Sequence, residues 1–483
     1  MANNLFKTKS IEKLLSEANA EENNLKKSLS AFNLIMLGIG AVIGAGIFVI
    51  TGTAAAQHAG PGIVFSFILS GLACAFAGLC YAEFAAMIPI AGSAYTYSYA
   101  TMGELLAWII GWDLILEYLF AASTVAVGWS GYVTNFLEKN LGIALPPALI
   151  NSPYTYDINK GWSSTGAILN LPAVLIVLLM TVLLVRGIKE STTFNNIAVA
   201  IKVTVICLFI LFGFSYVNPA NWTPFIPEYV APGQFGWSGI FSAAGIIFFA
   251  YIGFDAVSTA SQEAKNPQRD MPIGIMGSLA ICTVLYILVA LVMTGLTKYT
   301  NLNVASPIST AVDAAGDGLR WLSTPIKLGA ISGLSSVILV LLMGQPRIFF
   351  TMAKDGLLPS VFSKLHPKYQ TPYISTIVTG LVCAVVAGLF PIGILGELVS
   401  IGTLLAFTFV CFSIIWLRKT KPEIDRPFKT PLVPLVPILG AAGCIYQMVF
   451  LPFDTWIRLF VWLVIGMIIY FTYGAKNSKL NQE

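Results

Sequence analysis

Charged residues are scarce in this chain of 483 residues. Asp, Glu, Lys and Arg make up 10% of it, whereas soluble domains carry about 25%, and 57% of the chain is hydrophobic. This composition excludes an ordinary soluble enzyme and indicates an integral membrane protein. Segments of about ten residues with alternating hydrophobicity, which are typical of outer-membrane barrels, are lacking, so we expect an all-α fold.

Residues for metal, redox or nucleophilic chemistry are also few. The only two histidines, His58 and His366, lie in predicted loops. The seven cysteines all fall inside predicted spans without a CxxC pair, so we interpret them as packing residues. No phosphate-binding glycine loop is present. The sequence therefore predicts a protein that is not an enzyme and has no metal, no cofactor and no nucleic-acid partner.

Long apolar stretches are abundant instead. A membrane-spanning helix needs roughly 20 apolar residues, and the sequence predicts twelve such helices. Their ranges are 33–56, 62–88, 105–133, 168–186, 196–216, 237–261, 273–296, 326–351, 374–391, 396–417, 432–451 and 456–474.

The basic residues predict the orientation of these spans. With the N-terminus inside, 20 of the 27 Lys and Arg residues fall in cytoplasmic segments, 6 fall in external segments, and Lys202 lies within a span. This is the positive-inside bias. We therefore expect a multi-pass protein of the cell membrane with both termini in the cytoplasm.

The order of the spans suggests two repeats. Spans 1 to 5 and 6 to 10 form halves of five, each opening with a glycine-interrupted helix, and an odd number of spans gives the halves opposite orientations. We predict a cytoplasmic tail (1–30), a first repeat (31–217), an inverted second repeat (236–418) and two peripheral helices (430–475). Within the tail, four apolar residues recur at helical spacing and suggest a short amphipathic helix: Ile11, Leu14, Leu15 and Ala18. The alternative is a disordered tail.

Four glycines occur in the middle of the first span, in Gly38-Ile39-Gly40-Ala41-Val42-Ile43-Gly44-Ala45-Gly46-Ile47-Phe48. Each glycine costs a helix interior about 1 kcal/mol relative to alanine, so this span is predicted to break. A second interruption is predicted in span 6, over residues 248–255. A paired break of this kind marks the substrate site of an inverted-repeat transporter. The alternative is that the glycines form a helix-packing face.

Unwound backbone can hold a zwitterion, because N–H groups begin the second half-helix and carbonyls end the first. The carboxylate of an amino acid would bind the N–H groups of Ala45 and Gly46, and its ammonium would meet carbonyls of the two broken helices.

Lys202 lies about two turns into span 5, where an ionisable residue marks an ion or proton pathway. We predict that its ammonium reaches the broken backbone near Gly44 and the hydroxyl of Ser335 or Ser336 in span 8, where it would couple transport to protons. The alternative is a lysine that extends to the inner interface.

Acidic and aromatic residues inside the spans are further candidates. Four carboxylates lie inside the spans: Glu83, Asp113, Glu117 and Asp255. Asp113 and Glu117 are four residues apart and share one helix face, and either is a candidate to relay protons or to contact a cationic side chain. For Asp255 the plainer role is to cap the second half of span 6. Aromatic side chains around the second break are candidate gates, with ordinary packing as the alternative: Phe248, Phe249, Tyr251 and Phe254.

Several motifs resemble the amino acid-polyamine-organocation superfamily and, within it, the bacterial type of the cationic amino acid transporter branch. They are Gly38 to Phe48, Tyr81 to Phe84, Ile88 to Tyr95, Gly103 to Leu106, Gly111 to Tyr118, Asn266 to Ile275 and Gly344 to Ile348. The resemblance implies a five-plus-five inverted repeat with an amino group on the carbonyls of Val42, Phe249 and Ile252, and a lysine, Lys202, that replaces a sodium site.

The resemblance also implies the set of residues at the substrate site: Val42, Ile43, Gly44, Ala45, Gly46, Phe249, Ala250, Ile252 and Ser332. Ala45 departs from the serine or threonine of many relatives, so a hydroxyl contact is lost. The small residues of span 8 near Ser332 leave room for an arginine-like side chain or pack a small pocket, and the sequence does not choose between them.

These observations predict a proton-coupled importer of a small neutral (alanine-like) or cationic (arginine-like) L-amino acid that works by alternating access. The alternatives are an amino acid exchanger and, from another class, a channel or a receptor-like sensor. Expected partners are the amino acid, protons and membrane lipid, with a small membrane protein or lipid against spans 11 and 12.

Overall fold

We describe a computed structural model of the chain. It describes residues 5–10, 12, 27–90, 92–157, 161–304, 306–451 and 453–482. The amphipathic helix predicted from Ile11, Leu14, Leu15 and Ala18 lies outside these residues. Within them, helices dominate and one short hairpin occurs, of β1 (Tyr154–Asp157) and antiparallel β2 (Gly161–Ser164).

Eighteen helical elements organise the described chain. In order they are α1 (Ala31–Val42), α2 (residues 46–59), α3 (Ile63–Met87), α4 (Ser93–Thr101), α5 (Glu104–Leu141), α6 (Leu171–Arg186), α7 (Ile188–Phe214), α8 (Gly236–Ile247), α9 (Ala256–Thr259), α10 (Pro267–Leu296), α11 (Pro307–Ala314), α12 (Asp317–Arg320), α13 (Ser323–Lys354), α14 (Tyr373–Leu389), α15 (Ile392–Thr420), α16 (Leu435–Val449), α17 (Phe453–Asn477) and α18 (Lys479–Gln482).

Eight helical runs are long and apolar enough to cross a membrane, and α6, α14 and α16 are shorter apolar helices. The longest run, Ala31–Met87, contains the first two predicted spans, separated by a turn at Gly60–Gly62. Each other predicted span coincides with one helical run. The all-helical class is thus confirmed, while twelve crossings and an inverted repeat stay predictions.

Local sequence explains where several helices begin. The side chain of Ser30 accepts a hydrogen bond from the backbone N–H of Asn33 and caps α1. Asn170 caps α6 in the same way through the N–H of Ala173. Pro267 opens α10, where its missing N–H costs nothing because the first N–H groups of a helix have no intrahelical acceptor.

The long helices pack in two groups. In the first, α10 lies along α1 and α3, and α8 packs on α3. In the second, α13 packs on α5 and α7, and α14 packs on α6. Contacts of α1 with α7 and α13 join the two groups, so the first broken helix lies between them.

Both ends of the described chain meet at the same end of the bundle. The Lys9 ammonium lies 2.6 Å from the Asp355 carboxylate just beyond α13, and this ion pair is buried. Tyr95 donates to the other oxygen of Asp355 at 2.6 Å. Lys7 donates to the carbonyl of Leu480 at 2.8 Å. The two terminal segments therefore close one end of the molecule together.

Glu83, one of the four candidate carboxylates, anchors the segment between α15 and α16. Its fully buried carboxylate accepts two hydrogen bonds from Arg418, at 2.9 and 2.8 Å, and one from the N–H of Thr430 at 2.7 Å. Arg426 lies 3.3 Å away and is also buried. The Glu83 side chain is thus part of a structural ion-pair network.

We expect Glu83→Ala to lower the free energy of unfolding by about 3 kcal/mol, because it leaves the buried Arg426 without a counter-charge. Thermal unfolding in detergent measures the change. Asp317→Ala is the control, since Asp317 pairs with Arg320 at the surface, and no measurable shift is expected there. Equal shifts for both variants would contradict the anchoring role.

Candidate functional site: two broken helices around a cavity

The first span is interrupted where the sequence predicts. Helix α1 ends at Val42, and Ile43 has an extended backbone with φ −76° and ψ 96°. The chain becomes helical again from Gly46, with a π-helical turn over Gly46–Ile50. The first N–H groups of a helix lack intrahelical acceptors, so those around Ala45 and Gly46 point towards the break.

The sixth span is interrupted as well. After α8, a 3₁₀ turn covers Phe248–Tyr251, and Ile252 is extended, with φ −58° and ψ 135°. Gly253 follows with a φ of +111°, a conformation that side chains rarely adopt. A Cβ at this position would lie 2.8 Å from the Cβ of Ala41, so the second break needs glycine both for its turn and for its approach to α1.

The first two glycines of span 1 pack against other helices. A Cβ at Gly38 would lie 2.2 Å from the hydroxyl of Ser278 in α10, and a Cβ at Gly40 would lie 2.2 Å from the amide oxygen of Asn195 in α7. The packing interpretation therefore holds for these two positions.

The other two glycines lie at the break. A Cβ at Gly44 would approach Val337 of α13 to 2.7 Å. A Cβ at Gly46 would lie 2.2 Å from the Cβ and 2.3 Å from the Cα of Ala250. The two interrupted helices thus touch each other through their backbones, and Gly46 makes that contact possible.

A narrow cavity of about 10 Å³, which we call the deep cavity, lies between the two breaks. Six of the nine predicted substrate-site residues line it: Val42, Gly44, Ala45, Gly46, Phe249 and Ile252. The remaining lining residues were missed from the sequence and are all apolar: Ala41, Ala121, Val125, Val337 and Leu341. No signal in the sequence distinguished these apolar side chains from ordinary packing residues.

Lys202 reaches the first break. Its ammonium donates to the carbonyls of Gly40 at 2.9 Å and Ile43 at 2.8 Å, and to the hydroxyl of Ser336 at 2.8 Å. The three N–H bonds of an ammonium are thereby all used, and the lysine is fully buried. It therefore does not extend to the inner interface, which was the alternative.

Two tyrosines that the sequence analysis missed also bind carbonyls near the breaks. Tyr286 of α10 lies 2.7 Å from the carbonyl of Val42 and 2.9 Å from that of Ala250. Tyr132 of α5 donates to the carbonyl of Phe48 at 2.7 Å. Their only sequence signal was a polar tip on an aromatic side chain within an apolar helix.

Two serines of α13 were assigned wrongly. Ser335 is turned away from Lys202, and its hydroxyl accepts from the indole of Trp129 at 2.9 Å. Ser332 does not line the deep cavity and donates to the carbonyl of Ala198 in α7 at 3.3 Å. The reason is helical rotation, since consecutive residues differ by about 100° around the axis.

Two other predicted site residues lie behind the cavity wall. Ile43 contributes its carbonyl to Lys202, and Ala250 contributes its carbonyl to Tyr286 and its Cβ to the contact with Gly46. Both side chains are buried. They hold the breaks in place and are absent from the cavity lining.

The candidate gate and relay residues near the second break mostly face other helices. Tyr251 donates to the carbonyl of Phe67 in α3 at 2.9 Å. Phe254 packs edge-on against Tyr81 and beside Phe407. Both side chains are fully buried, so neither stands at a cavity entrance in this structure, and only Phe249 does.

Asp255 does not cap α9 with its side chain. Its carboxylate accepts a hydrogen bond from the hydroxyl of Tyr118 instead. Glu117 lies beside it, in a π-helical turn of α5 over Leu116–Phe120. The capping prediction is wrong, because the Asp255 carboxylate makes no hydrogen bond to the first turn of α9.

A larger cavity of about 870 Å³, which we call the vestibule, continues from the deep cavity and shares Ala45 and Phe249 with it. Its polar lining residues include Thr53, Gln57, Asn135, Lys327 and Glu397. Glu397 is neutralised by Arg458 at 2.6 Å.

The vestibule opens at the end of the bundle opposite to the chain termini. In α13, Lys327 lies in the first turns and lines the vestibule, whereas Asp355 follows the last turn and binds Lys9. In α5, likewise, Asn135 in the later turns lines the vestibule. One end of the site is therefore open and the other is closed.

Comparison with known proteins establishes the family. The family model described as "Amino acid permease" matches residues 29–473. The chain belongs to this amino acid permease family. The resemblance to the amino acid-polyamine-organocation superfamily is thereby confirmed, and the protein is a membrane-embedded permease of that family.

Two full-length relatives come from Bacillus subtilis (strain 168). The chain is 49% identical over 479 residues to the methylthioribose transporter, covering 99% of each chain. It is 48% identical over 483 residues to the branched-chain amino acid permease BcaP, covering 100% of each. It is also 38% identical over 425 residues to cationic amino acid transporter 4, vacuolar, of Arabidopsis thaliana, which covers 87% of this chain and 68% of that protein.

The contact between the breaks gives a test with internal controls. Gly46→Ala must displace the backbone of Ala250, so we expect a loss of roughly 1–3 kcal/mol in stability together with a loss of uptake. The second substitution Ala250→Gly will not restore the stability or the uptake of the Gly46→Ala variant, because the Cα of Ala250 also lies too close to a Cβ at position 46. Gly44→Ala meets only the side chain of Val337.

We therefore expect the pair Gly44→Ala and Val337→Ala to recover most of the stability that Gly44→Ala loses. Thermal unfolding in detergent and uptake into proteoliposomes provide the two measurements. Recovery of the Gly46 variant by Ala250→Gly would show that the breaks are not in backbone contact.

Proposed function

We propose that this permease is a proton-coupled L-amino acid symporter that imports its substrate by alternating access. The observation that carries the proposal is the deep cavity, which is lined by residues at the breaks of both interrupted helices. Broken helices bind the charged ends of a small substrate.

The two charged ends of an amino acid match the two kinds of backbone group. The carboxylate binds the N–H groups of Ala45 and Gly46, where the helix dipole is positive. The ammonium binds the carbonyls of Val42, Phe249 and Ile252. All five residues line the deep cavity, so both kinds of backbone group belong to residues at one place in the fold.

The remaining wall of the cavity favours a neutral side chain over an arginine-like one. It consists of Ala121, Val125, Val337 and Leu341, and no charged side chain occurs among the described lining residues. An unpaired cation would lose its hydration there without compensation. A small or branched aliphatic side chain gains from burial, in keeping with a relative named for branched-chain amino acids.

Lys202 supplies the coupling to protons. As an ammonium it donates to two carbonyls of the first break and to Ser336, which itself donates to the carbonyl of Gly333 at 2.8 Å. A neutral amine has one N–H fewer, so deprotonation removes one of the three hydrogen bonds by which the lysine links α7 to α1 and α13. Proton binding and the geometry of the substrate site are therefore linked.

The proposed topology follows from the predicted orientation. With the termini in the cytoplasm, the vestibule opens to the outside and the buried pair of Lys9 and Asp355 closes the inside. Movement of α1, α3, α8 and α10 relative to the other helices, built as inverted repeats over 31–217 and 236–418, would alternate the access. Helices α16 and α17 lie outside the repeats and face lipid or a small membrane protein.

Uptake into proteoliposomes tests the function. With an inward proton gradient, we expect saturable accumulation of leucine, isoleucine or valine against a concentration gradient, and competition by alanine but not by arginine. Methylthioribose is included because a relative transports it by name. Accumulation of methylthioribose with no uptake of any amino acid would overturn the proposal. Counterflow without dependence on the gradient would indicate an exchanger, and non-saturable flux a channel.

Replacing Lys202 tests the proton step. We expect Lys202→Ala to abolish accumulation driven by the proton gradient, because no other group replaces its three hydrogen bonds. Lys298→Ala is the matched control, since this exposed lysine lies in a loop. Both variants are compared at equal expression and equal thermal stability. Full gradient-driven uptake by Lys202→Ala would contradict the coupling role.

A further inference from the structure

Tyr286 is the only residue among those described whose side chain is hydrogen-bonded to both broken helices. Its hydroxyl lies 2.7 Å from the carbonyl of Val42, the last residue of α1, and 2.9 Å from the carbonyl of Ala250, in the turn before the second break. The ring is fully buried, with ring centres 5.4 Å from Phe67 and 5.5 Å from Tyr251.

The hydroxyl cannot donate a full hydrogen bond to both carbonyls at the same time. A tyrosine has one O–H donor, so at any moment one of the two carbonyls receives the proton and the other keeps its acceptor capacity. Lys202 does not supply the missing donor, because its hydrogen bonds go to Gly40, Ile43 and Ser336.

Of the two carbonyls, that of Val42 belongs to a residue that lines the deep cavity, whereas Ala250 lies behind the cavity wall. A cationic donor that enters the cavity is therefore able to reach the carbonyl of Val42 and not that of Ala250. The hydroxyl proton is then free to turn to Ala250, and both carbonyls become satisfied.

We propose that Tyr286 is a positioning residue for the ammonium group of the substrate. In the empty site its hydroxyl bridges the two broken helices. When a substrate ammonium binds the carbonyl of Val42, the hydroxyl donates to Ala250 alone, so both carbonyls are fully hydrogen-bonded only when the ligand carries an ammonium. This inference rests on the proposed function, because it assumes that an amino acid binds in the deep cavity.

The proposal predicts a coupling between one protein hydroxyl and one ligand group. We expect Tyr286→Phe, which retains the ring, to weaken leucine binding severalfold, because the hydroxyl shares its proton between two carbonyls in the empty site and donates it fully to Ala250 in the bound one. Binding of 4-methylpentanoate, which is leucine without its amino group, should change less than twofold. Thr294→Val is the control, since it removes a buried hydroxyl of the same helix that binds the carbonyls of Ala290 and Leu291 within α10 and the indole of Trp222.

Binding is measured by ligand-induced changes in thermal stability and by inhibition of leucine uptake. A merely structural tyrosine would weaken leucine and 4-methylpentanoate equally, and that result would overturn the proposal. Severalfold weaker leucine binding by the Thr294→Val variant would overturn the proposal as well.

A ligand-free measurement separates this inference from the proposed function. Hydrogen–deuterium exchange of peptides that cover residues 42–48 and 249–256 should speed up in both segments for Tyr286→Phe and in neither for Thr294→Val. Unchanged exchange rates would show that the Tyr286 hydroxyl does not link the two broken helices, even if amino acid transport is established. If wild-type protein binds no amino acid, the ammonium role fails together with the proposed function, while the exchange data still decide the tie.

Discussion

Everything in this fold depends on where the backbone groups of two broken helices find their hydrogen-bond partners. In an apolar environment, a helix can be interrupted only if neighbouring groups satisfy the freed N–H and carbonyl groups. Here the carbonyls of the first break are bound by side chains from four different helices: Lys202 of α7, Tyr286 of α10, Tyr132 of α5 and Ser336 of α13. The break is thus built by the whole bundle and not by the glycines alone.

The small residues and the polar side chains contribute to the break in different ways. Gly38 and Gly40 let α1 lie directly against α10 and α7, and this closeness brings Lys202 within reach of the α1 carbonyls. Gly46 then lets the second broken helix touch the first at Ala250. What remains between the breaks is a cavity with backbone polarity on one side and alkyl side chains on the other, which fits a molecule with two charged ends and an apolar tail.

The sequence predicts the parts of this arrangement that are encoded locally. Glycine in an apolar span indicates a break, and a lysine in a span indicates a buried polar partner, so both breaks and the contact of Lys202 with the first one follow from residue types. The rotation of each helix about its own axis does not follow from residue types. Whether Ser335 or Ser336 meets Lys202, and whether Tyr251 faces a cavity or Phe67, depends on packing between helices that are far apart in the chain.

The same limit explains why the apolar wall and Tyr286 were missed. Val337 and Leu341 are four residues apart and share one face of α13, but every long apolar helix has such faces. Only contact with Gly44 distinguishes this face from the lipid-facing one. Tyr286 gains its role from the meeting of Val42 and Ala250, which are more than two hundred residues apart in the chain.

The positions of Lys202 and Tyr286 lead to a further physical argument about coupling. They bind carbonyls within a single turn of α1, at Gly40 and Ile43 for the lysine and at Val42 for the tyrosine. Any change of charge at the lysine therefore acts on the same short backbone segment that receives the substrate. Linkage between two binding events is reciprocal, so a substrate that orders this turn also favours the protonated lysine. Under the proposed function, a proton and an amino acid would be coupled through one turn of helix, with no need for direct contact between them.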